Sequence, residues 1–247
     1  MTVTEFSNEF DIAYNSIATN SAPALDLYEK SVYLTRAQLE IVNQHFNPKG
    51  NKYTDGFEGS LKRRSDLNEL VKTGVSSDSL SSTLGISPDS QFYTLNKDVY
   101  MIIQEKALVG SNDSCIDGTT INVKPVTHDE YNLQINNPFK EPGSSVIWRL
   151  DFYTQDGVNK NVELISPYTI KQYNYRYIKY PTPIVLTDLS VAFPGEGLSI
   201  DNVFALRTCE LSSSVHREIL NRAVELATAD YKPQDLAVKV QTNNRNE

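Results

Sequence analysis

The 247-residue chain is 39% hydrophobic and 22% charged, the proportions of a folded globular protein rather than a disordered one. Acidic side chains outnumber basic ones 31 to 23, for a formal charge of −8. That balance excludes a protein that grips nucleic acid through a broad basic surface, since such binding sets clustered Lys and Arg against phosphates. An acidic wall past which DNA moves remains compatible with it.

The opening Met1–Phe6 has no basic region leading into an apolar stretch, and no apolar run approaches the ~20 residues of a membrane helix. A soluble protein made inside the cell is expected. The two cysteines, Cys115 and Cys209, make neither a disulfide framework nor a zinc site and are expected as buried apolar thiols in a reducing cytoplasm.

From the start, Phe6, Phe10, Ala13, Tyr14 and Ile17 recur at spacings of three and four, the stripe of an amphipathic helix beginning near Thr4. Pro23 can open a second helix reaching Val32, with Leu25, Tyr28 and Val32 on one side. A separate start is expected at Thr35, with Gln38 completing a capping box and Leu34 and Leu39 as its staple; Asn47–Pro48 stops that helix. Phe57 to Val71 reads as a fourth helix ended at Gly74, followed by a Ser-rich loop.

Beyond Gln91 the period shortens. Phe92–Leu95, Val99–Val109, Ile116–Val123, Val146–Tyr153, Val158–Ile165, Gln172–Tyr180 and Ile184–Leu186 are β-branched or aromatic runs punctuated by Asn, Asp, Gly and Pro. Asp156–Gly157 suits a hairpin turn. Strict alternation in Gln172–Tyr177 gives that strand one aromatic and one polar face. Val215, Ile219, Leu220, Ala223, Val224 and Ala227 form the stripe of a closing helix.

The organisation expected is a helical region over 1–75, a Ser-rich loop over 76–90, a β-rich domain over 91–211, a C-terminal helix over 212–232 packing on the body, and a polar tail over 233–247. This is an α+β fold: N-terminal helices, a central mostly antiparallel β-sheet region with a sandwich-like form as one option, and a C-terminal helix.

Sites for chemistry are not legible. His45, His128 and His216 stand in no metal-ligand spacing, and His45 and His216 fall on helices where packing or capping suffices. His128–Asp129–Glu130 could orient an imidazole for proton transfer, but on a strand or turn adjacent side chains point apart, and no nucleophile motif accompanies them. Gly195–Glu196–Gly197 reads as a turn, Ser212–Ser214 as a capping cluster, Lys62–Arg64 as a solvated helix face, and Trp148 as a core strand residue flanked by Arg149 and Asp151. No catalytic, cofactor-binding or metal residue is assigned. The fourteen tyrosines suit either sheet packing or a large protein interface.

Several stretches resemble a known family: Leu25–Val42, Gly56–Glu58 with Arg63, Arg64 and Leu67, Thr127–Tyr131, Asn137–Pro142, Trp148–Asp151, Arg176–Leu189, Cys209–Leu211, His216–Ile219 and Arg222–Ala227. Together they are similar to neck or ring (head-to-tail connector) structural proteins of crAss-like and related Bacteroidetes tailed phages. The resemblance implies a non-enzymatic virion subunit, assembled in the host bacterial cytoplasm. It further implies a homo-oligomeric ring that touches the portal and other neck or tail proteins while DNA passes without sequence-specific contact. Another virion protein, of tail or capsid, and a β-sandwich that binds glycan or receptor are the alternatives. For the ring, two contact patches are expected. One is the N-terminal helix with Phe6, Phe10, Tyr14 and Ile17; the other is the strand bearing Tyr173, Tyr175 and Tyr177, with Arg176 and Lys179 on its opposite face or rim.

Overall fold

The computed structural model describes residues 1–15, 24–46, 57, 59–77, 79–80, 85–110, 115–137, 139–153 and 160–231. In chain order the helices are α1 (Val3–Asn15), α2 (Leu27–Phe46), α3 (Leu61–Leu67), α4 (His128–Gln134), α5 (Leu189–Ala192) and α6 (His216–Tyr231). The strands are β1 (Val71–Ser76), β2 (Ser79–Leu80), β3 (Ser90–Thr94), β4 (Val99–Gly110), β5 (Thr120–Pro125), β6 (Val146–Tyr153), β7 (Lys160–Ile165) and β8 (Thr169–Lys179). The fold is α+β, and it divides into two compact units: Met1–Leu70 with Pro181–Glu247, and Val71–Tyr180.

The helical unit is built from both ends of the chain. Thr2 and Glu5 cap α1 reciprocally, the Thr2 amide donating to Glu5 Oε2 at 2.7 Å and the Glu5 amide to Thr2 Oγ1 at 3.2 Å. The expected stripe is real: Phe6, Phe10 and Tyr14 are buried as α1 packs on α6 and α2. Ile17 and Pro23 lie outside the described residues. On α6, Ile219, Leu220, Ala223, Val224 and Ala227 form the facing stripe.

The reading of two helices across residues 23–46 is corrected, because α2 runs unbroken from Leu27. Its capping box is Asp26 with Glu29: the Asp26 amide donates to Glu29 Oε2 at 3.0 Å and the Glu29 amide to Asp26 Oδ1 at 2.7 Å. Thr35 and Gln38 are spent elsewhere. Thr35 Oγ1 accepts from the Ile184 amide at 3.1 Å, Gln38 Nε2 donates to the Thr182 carbonyl at 3.0 Å, and Ser31 Oγ accepts from the Leu186 amide at 3.0 Å. Three polar side chains one or two turns apart thus hold an extended segment along the helix. That segment, expected as a strand over Ile184–Leu186, makes only an isolated bridge from Val185 to Arg207. The α2 side chains satisfy much of its backbone in place of a strand ladder.

The fourth helix is shorter than expected. α3 ends at Leu67, a 3-10 turn follows over Asn68–Leu70, and the chain is a strand from Val71, so Gly74 does not terminate a helix. Gly74 instead faces Tyr175 across the β1–β8 pairing, where a Cβ would stand 2.3 Å from Tyr175 Cζ. The glycine is there to let the ring pass.

In the sheet unit all eight strands join in the order β1-β8-β4-β5-β6-β7-β3-β2, antiparallel except for β5 with β6. The sheet curls on itself, so that Tyr93 of β3 donates across the core to the Ile170 carbonyl of β8 at 2.8 Å, and the Tyr93 and Tyr173 rings lie 6.0 Å apart. The alternation of β8 is as expected, with Tyr173, Tyr175 and Tyr177 on the core face and Arg176 exposed. Asp156–Gly157 lies outside the described residues. The crossover between parallel β5 and β6 carries α4, whose Tyr131 meets Trp148 edge-on at 6.0 Å and closes a second small core with Val126, Leu150 and Ile165.

Candidate assembly surfaces

The residues expected to form contacts between copies fall into two kinds. Phe6, Phe10 and Tyr14 are already covered by α6 and α2 of the same chain. Tyr173, Tyr175 and Tyr177 are covered too, at 0%, 1% and 3% exposure, in a file of ring contacts with centroids 5.2 and 5.6 Å apart. Burial pushes their phenols above the ordinary value. Tyr175 Oη accepts from the Asn96 amide at 2.9 Å, and Tyr177 Oη donates to Asp98 Oδ1 at 3.0 Å. These tyrosines hold the sheet together; of the other two residues expected in the β8 patch, Arg176 is exposed and Lys179 half-buried.

His128, Asp129 and Glu130 open a helix, not the strand or turn expected. The Thr127 hydroxyl accepts from the Glu130 amide at 3.2 Å while Glu130 Oε2 accepts from the Thr127 amide at 3.3 Å, a capping box that occupies the carboxylate. Lys62–Arg64 is not a uniformly solvated face either: Lys62 and Arg64 are exposed, but Arg63 is buried. Cys115 is exposed rather than buried, whereas Cys209 is half-buried and burial raises its thiol to about 11.

Two polar clusters escaped the sequence reading. In the helical unit, His45 sits with Nδ1 4.0 Å from Asp66 Oδ2 and Nε2 3.6 Å from Glu218 Oε2, while Lys62 Nζ is 2.8 Å from Glu218 Oε1. The His45 imidazole and the Lys62 ammonium hold the Glu218 carboxyl down to about 2, against the opposing effect of burial. Ser214 donates to Asp66 Oδ1 at 2.6 Å, so the expected capping serines tie the start of α6 to α3. The cluster fastens the end of α2, α3 and the start of α6.

In the sheet unit, buried Glu105 accepts from Tyr173 Oη at 2.7 Å and stands 3.3 Å from Arg149 Nε, while Arg149 Nη1 is 3.5 Å from Asp151 Oδ1. Burial raises the Glu105 carboxyl, which the Arg149 charge opposes. Both side chains line a cleft of about 390 Å³ with Ile102, Ile103, Gln104, Asn122, Val123 and Pro125. Apolar side chains stand in water in both units: Leu133 at 81% and Phe139 at 95% in the β5–β6 crossover, and Val191 at 75%, Phe204 and Leu206 around α5. Among the described residues no group of three His, Cys, Asp or Glu could hold a metal, and no helix is long and apolar enough to cross a membrane.

Among the described residues, the polar side chains of these two clusters are engaged in caps and ion pairs, and the exposed apolar side chains stand at loops and short helices. The family of the chain is shown by its sequence. Residues 1–239 match the family model for phage tail ring protein 3/4, and the chain belongs to that family of structural ring proteins of phage virions. It is 41% identical over 250 residues to "Ring protein 4/5" of Bacteroides phage crAss001, spanning the whole of both chains. It is also 38% identical over 228 residues to "Ring protein 3" of the same phage, covering 92% of this chain and 95% of that one.

Proposed function

We propose that this chain is a non-enzymatic ring subunit of the phage neck, packed side by side in many copies around the axis that connects portal to tail, with the DNA path through its centre. The observation that carries this reading is the full-length similarity to two proteins named as ring proteins. The charge of −8 supports the placement beside DNA, since an acidic inner wall repels the phosphate backbone and keeps it from adhering in transit. No sequence-specific contact with the DNA is involved.

A closed ring of identical copies uses head-to-tail contacts, so each copy carries two different complementary patches. Arg176 and Lys179 on β8 are the basic side of one of them. Because the copies repel one another overall, assembly depends on salt and on a template such as the portal. Electron microscopy of the intact particle tests the reading: this chain should appear as a closed ring between portal and tail, and the charge reversals Arg176→Glu and Lys179→Glu should deplete it from particles. Finding it as a single copy, or as a fibre tip without ring symmetry, would sink the proposal.

A further inference from the structure

One face of the sheet is basic, although the chain as a whole is acidic. Residues opposite one another in a ladder share a face, so the strand register defines it. Arg176 and Asn174 of β8, turned away from the core, stand opposite Gln104 and Lys106 of β4, and Lys106 stands opposite Asn122 of β5. Lys124 follows two residues after Asn122, on the same face of β5. Lys106, Lys124 and Arg176 are all exposed. β1 adds Thr73 and Val75, opposite Arg176 and Asn174, and Val75 is exposed as well. Over these pairings the face has no carboxylate; Glu105, between Gln104 and Lys106, is turned inward and buried. Other cations of this unit have found acids, Lys171 with Asp117 and Arg149 with Glu105. Among the described residues, Lys106, Lys124 and Arg176 are in no ion pair.

The helical unit holds out the opposite combination. In the stretch from Leu189 to Leu206, which begins with α5, Glu196 and Asp201 are exposed and, among the described residues, in no ion pair. The same stretch exposes Val191, Phe204 and Leu206. Its backbone is tied down. The Leu189 amide donates to the Phe204 carbonyl at 2.9 Å, and Ile200 bridges to Val203 around a turn whose Asp201 and Asn202 have φ of 47° and 63°. Leu189 and Ile200 are buried with Val185 in a small core against Tyr28, Phe193 and Val203. Packing therefore fixes a loop that is acidic and apolar at once. We infer that this α5 loop of one copy docks on the basic sheet face of a second copy, Glu196 and Asp201 meeting Lys106, Lys124 and Arg176 while its apolar side chains cover Val75. A phosphate backbone would answer the cations but offers nothing to Val75, whereas this loop answers both. Choosing a second copy as the occupant rests on the ring reading above. Every copy then carries one loop and one face, the two unlike patches of a head-to-tail ring, and their attraction is local enough to act against the overall repulsion.

Charge reversal of each patch, alone and together, tests this in phage particles carrying the full-length chain. The face is reversed by Lys106→Glu with Arg176→Glu. The loop is reversed by Glu196→Lys with Asp201→Asn, since asparagine keeps the left-handed backbone at that position. Either reversal alone sets like charges together and should lower the amount of this chain per particle at least about tenfold. A chain with both reversals should return to within about twofold of the wild type. So should a mixture of the two singly reversed chains, because they can alternate, each loop meeting a face of opposite sign. The melting temperature of each purified variant should stay within about 2 °C of the wild type, these sites being exposed. Undiminished incorporation of either single reversal overturns the inference. Loss that neither the double reversal nor the mixture repairs also overturns it, and assigns the face to another partner, DNA included. Repair by the double reversal without repair by the mixture places the contact within one chain and overturns it too. Electron micrographs of wild-type particles decide the ring separately, so a ring seen there together with unrepaired variants would refute this interface and leave the ring standing.

Discussion

Replacing Gly74 by alanine puts a methyl group where the sheet has no room. The new Cβ would stand 2.3 Å from Tyr175 Cζ and 2.6 Å from its Oη. The ring cannot step aside freely: it is 1% exposed, flanked by Tyr173 and Tyr177, and its oxygen accepts from the Asn96 amide. Overpacking of this kind costs about 1–3 kcal/mol, and losing the Asn96 hydrogen bond adds about 0.5–1.5 kcal/mol. Against this, alanine restricts the unfolded chain and returns about 0.4–1 kcal/mol, because Gly74 has no left-handed φ that alanine would strain. The net expectation is a destabilisation of about 0.5–4 kcal/mol. Trp148, the only tryptophan, is buried in β6 of the same unit, so its fluorescence during urea denaturation reads this unit. Gly143→Ala is the control: nothing lies within 4 Å of its Cβ, and it should change stability by less than about 0.5 kcal/mol. A Gly74→Ala midpoint at or above that of the wild type would refute the account of why this strand carries a glycine.

Phe10→Ala removes a fully buried ring between α1 and its partners and should cost about 3–5 kcal/mol, seen as a lower midpoint by far-UV circular dichroism; an unchanged midpoint would mean that α1 contributes nothing to the helical unit. Thr127→Ala breaks the capping box of α4 and should cost about 0.5–2 kcal/mol in the Trp148 transition, since Tyr131 of that helix packs on the indole. Glu218 has a native pKa of about 2 against an ordinary 4.5, so its contribution is complete above the ordinary value and is lost as pH falls through the native one. Wild-type stability should therefore drop more steeply with acid in that window than that of Glu218→Gln, and parallel profiles would count against the His45–Glu218–Lys62 cluster.

The parts of this fold legible in the sequence are those whose signal is local. The four-residue spacing of Phe6, Phe10 and Tyr14 and the alternation of Tyr173, Tyr175 and Tyr177 each specify a buried face without reference to anything distant. Alternation does not reveal what covers that face. Here it is the curl of the sheet, which brings Tyr93 over Tyr173, so rings that could have met another copy are used within the chain. Thr35 and Gln38 misled for a related reason: their spacing is that of a cap, yet their partners Ile184 and Thr182 lie 149 and 144 residues away. Gly74 likewise looks like a helix stop until the Tyr175 ring opposite it is known. Glu105 and Arg149 carry no motif at all; they meet because β5 changes partners between β4 and β6.

That the helical unit is made from the two ends of the chain sets a timetable for synthesis. α1 and α2 leave the ribosome first, but α6, on which both of them pack, follows only after about 200 more residues, roughly 10–40 s at ordinary elongation rates. During that interval the stripe of Phe6, Phe10 and Tyr14 has no α6 to cover it, while Val71–Tyr180, being continuous, has every strand it needs before the last helix is translated. The sheet can therefore form as an insert between two unfinished halves, with the final helix as the closing step. A truncated nascent chain would lack a completed helical unit, so only finished copies would reach the particle with both units intact.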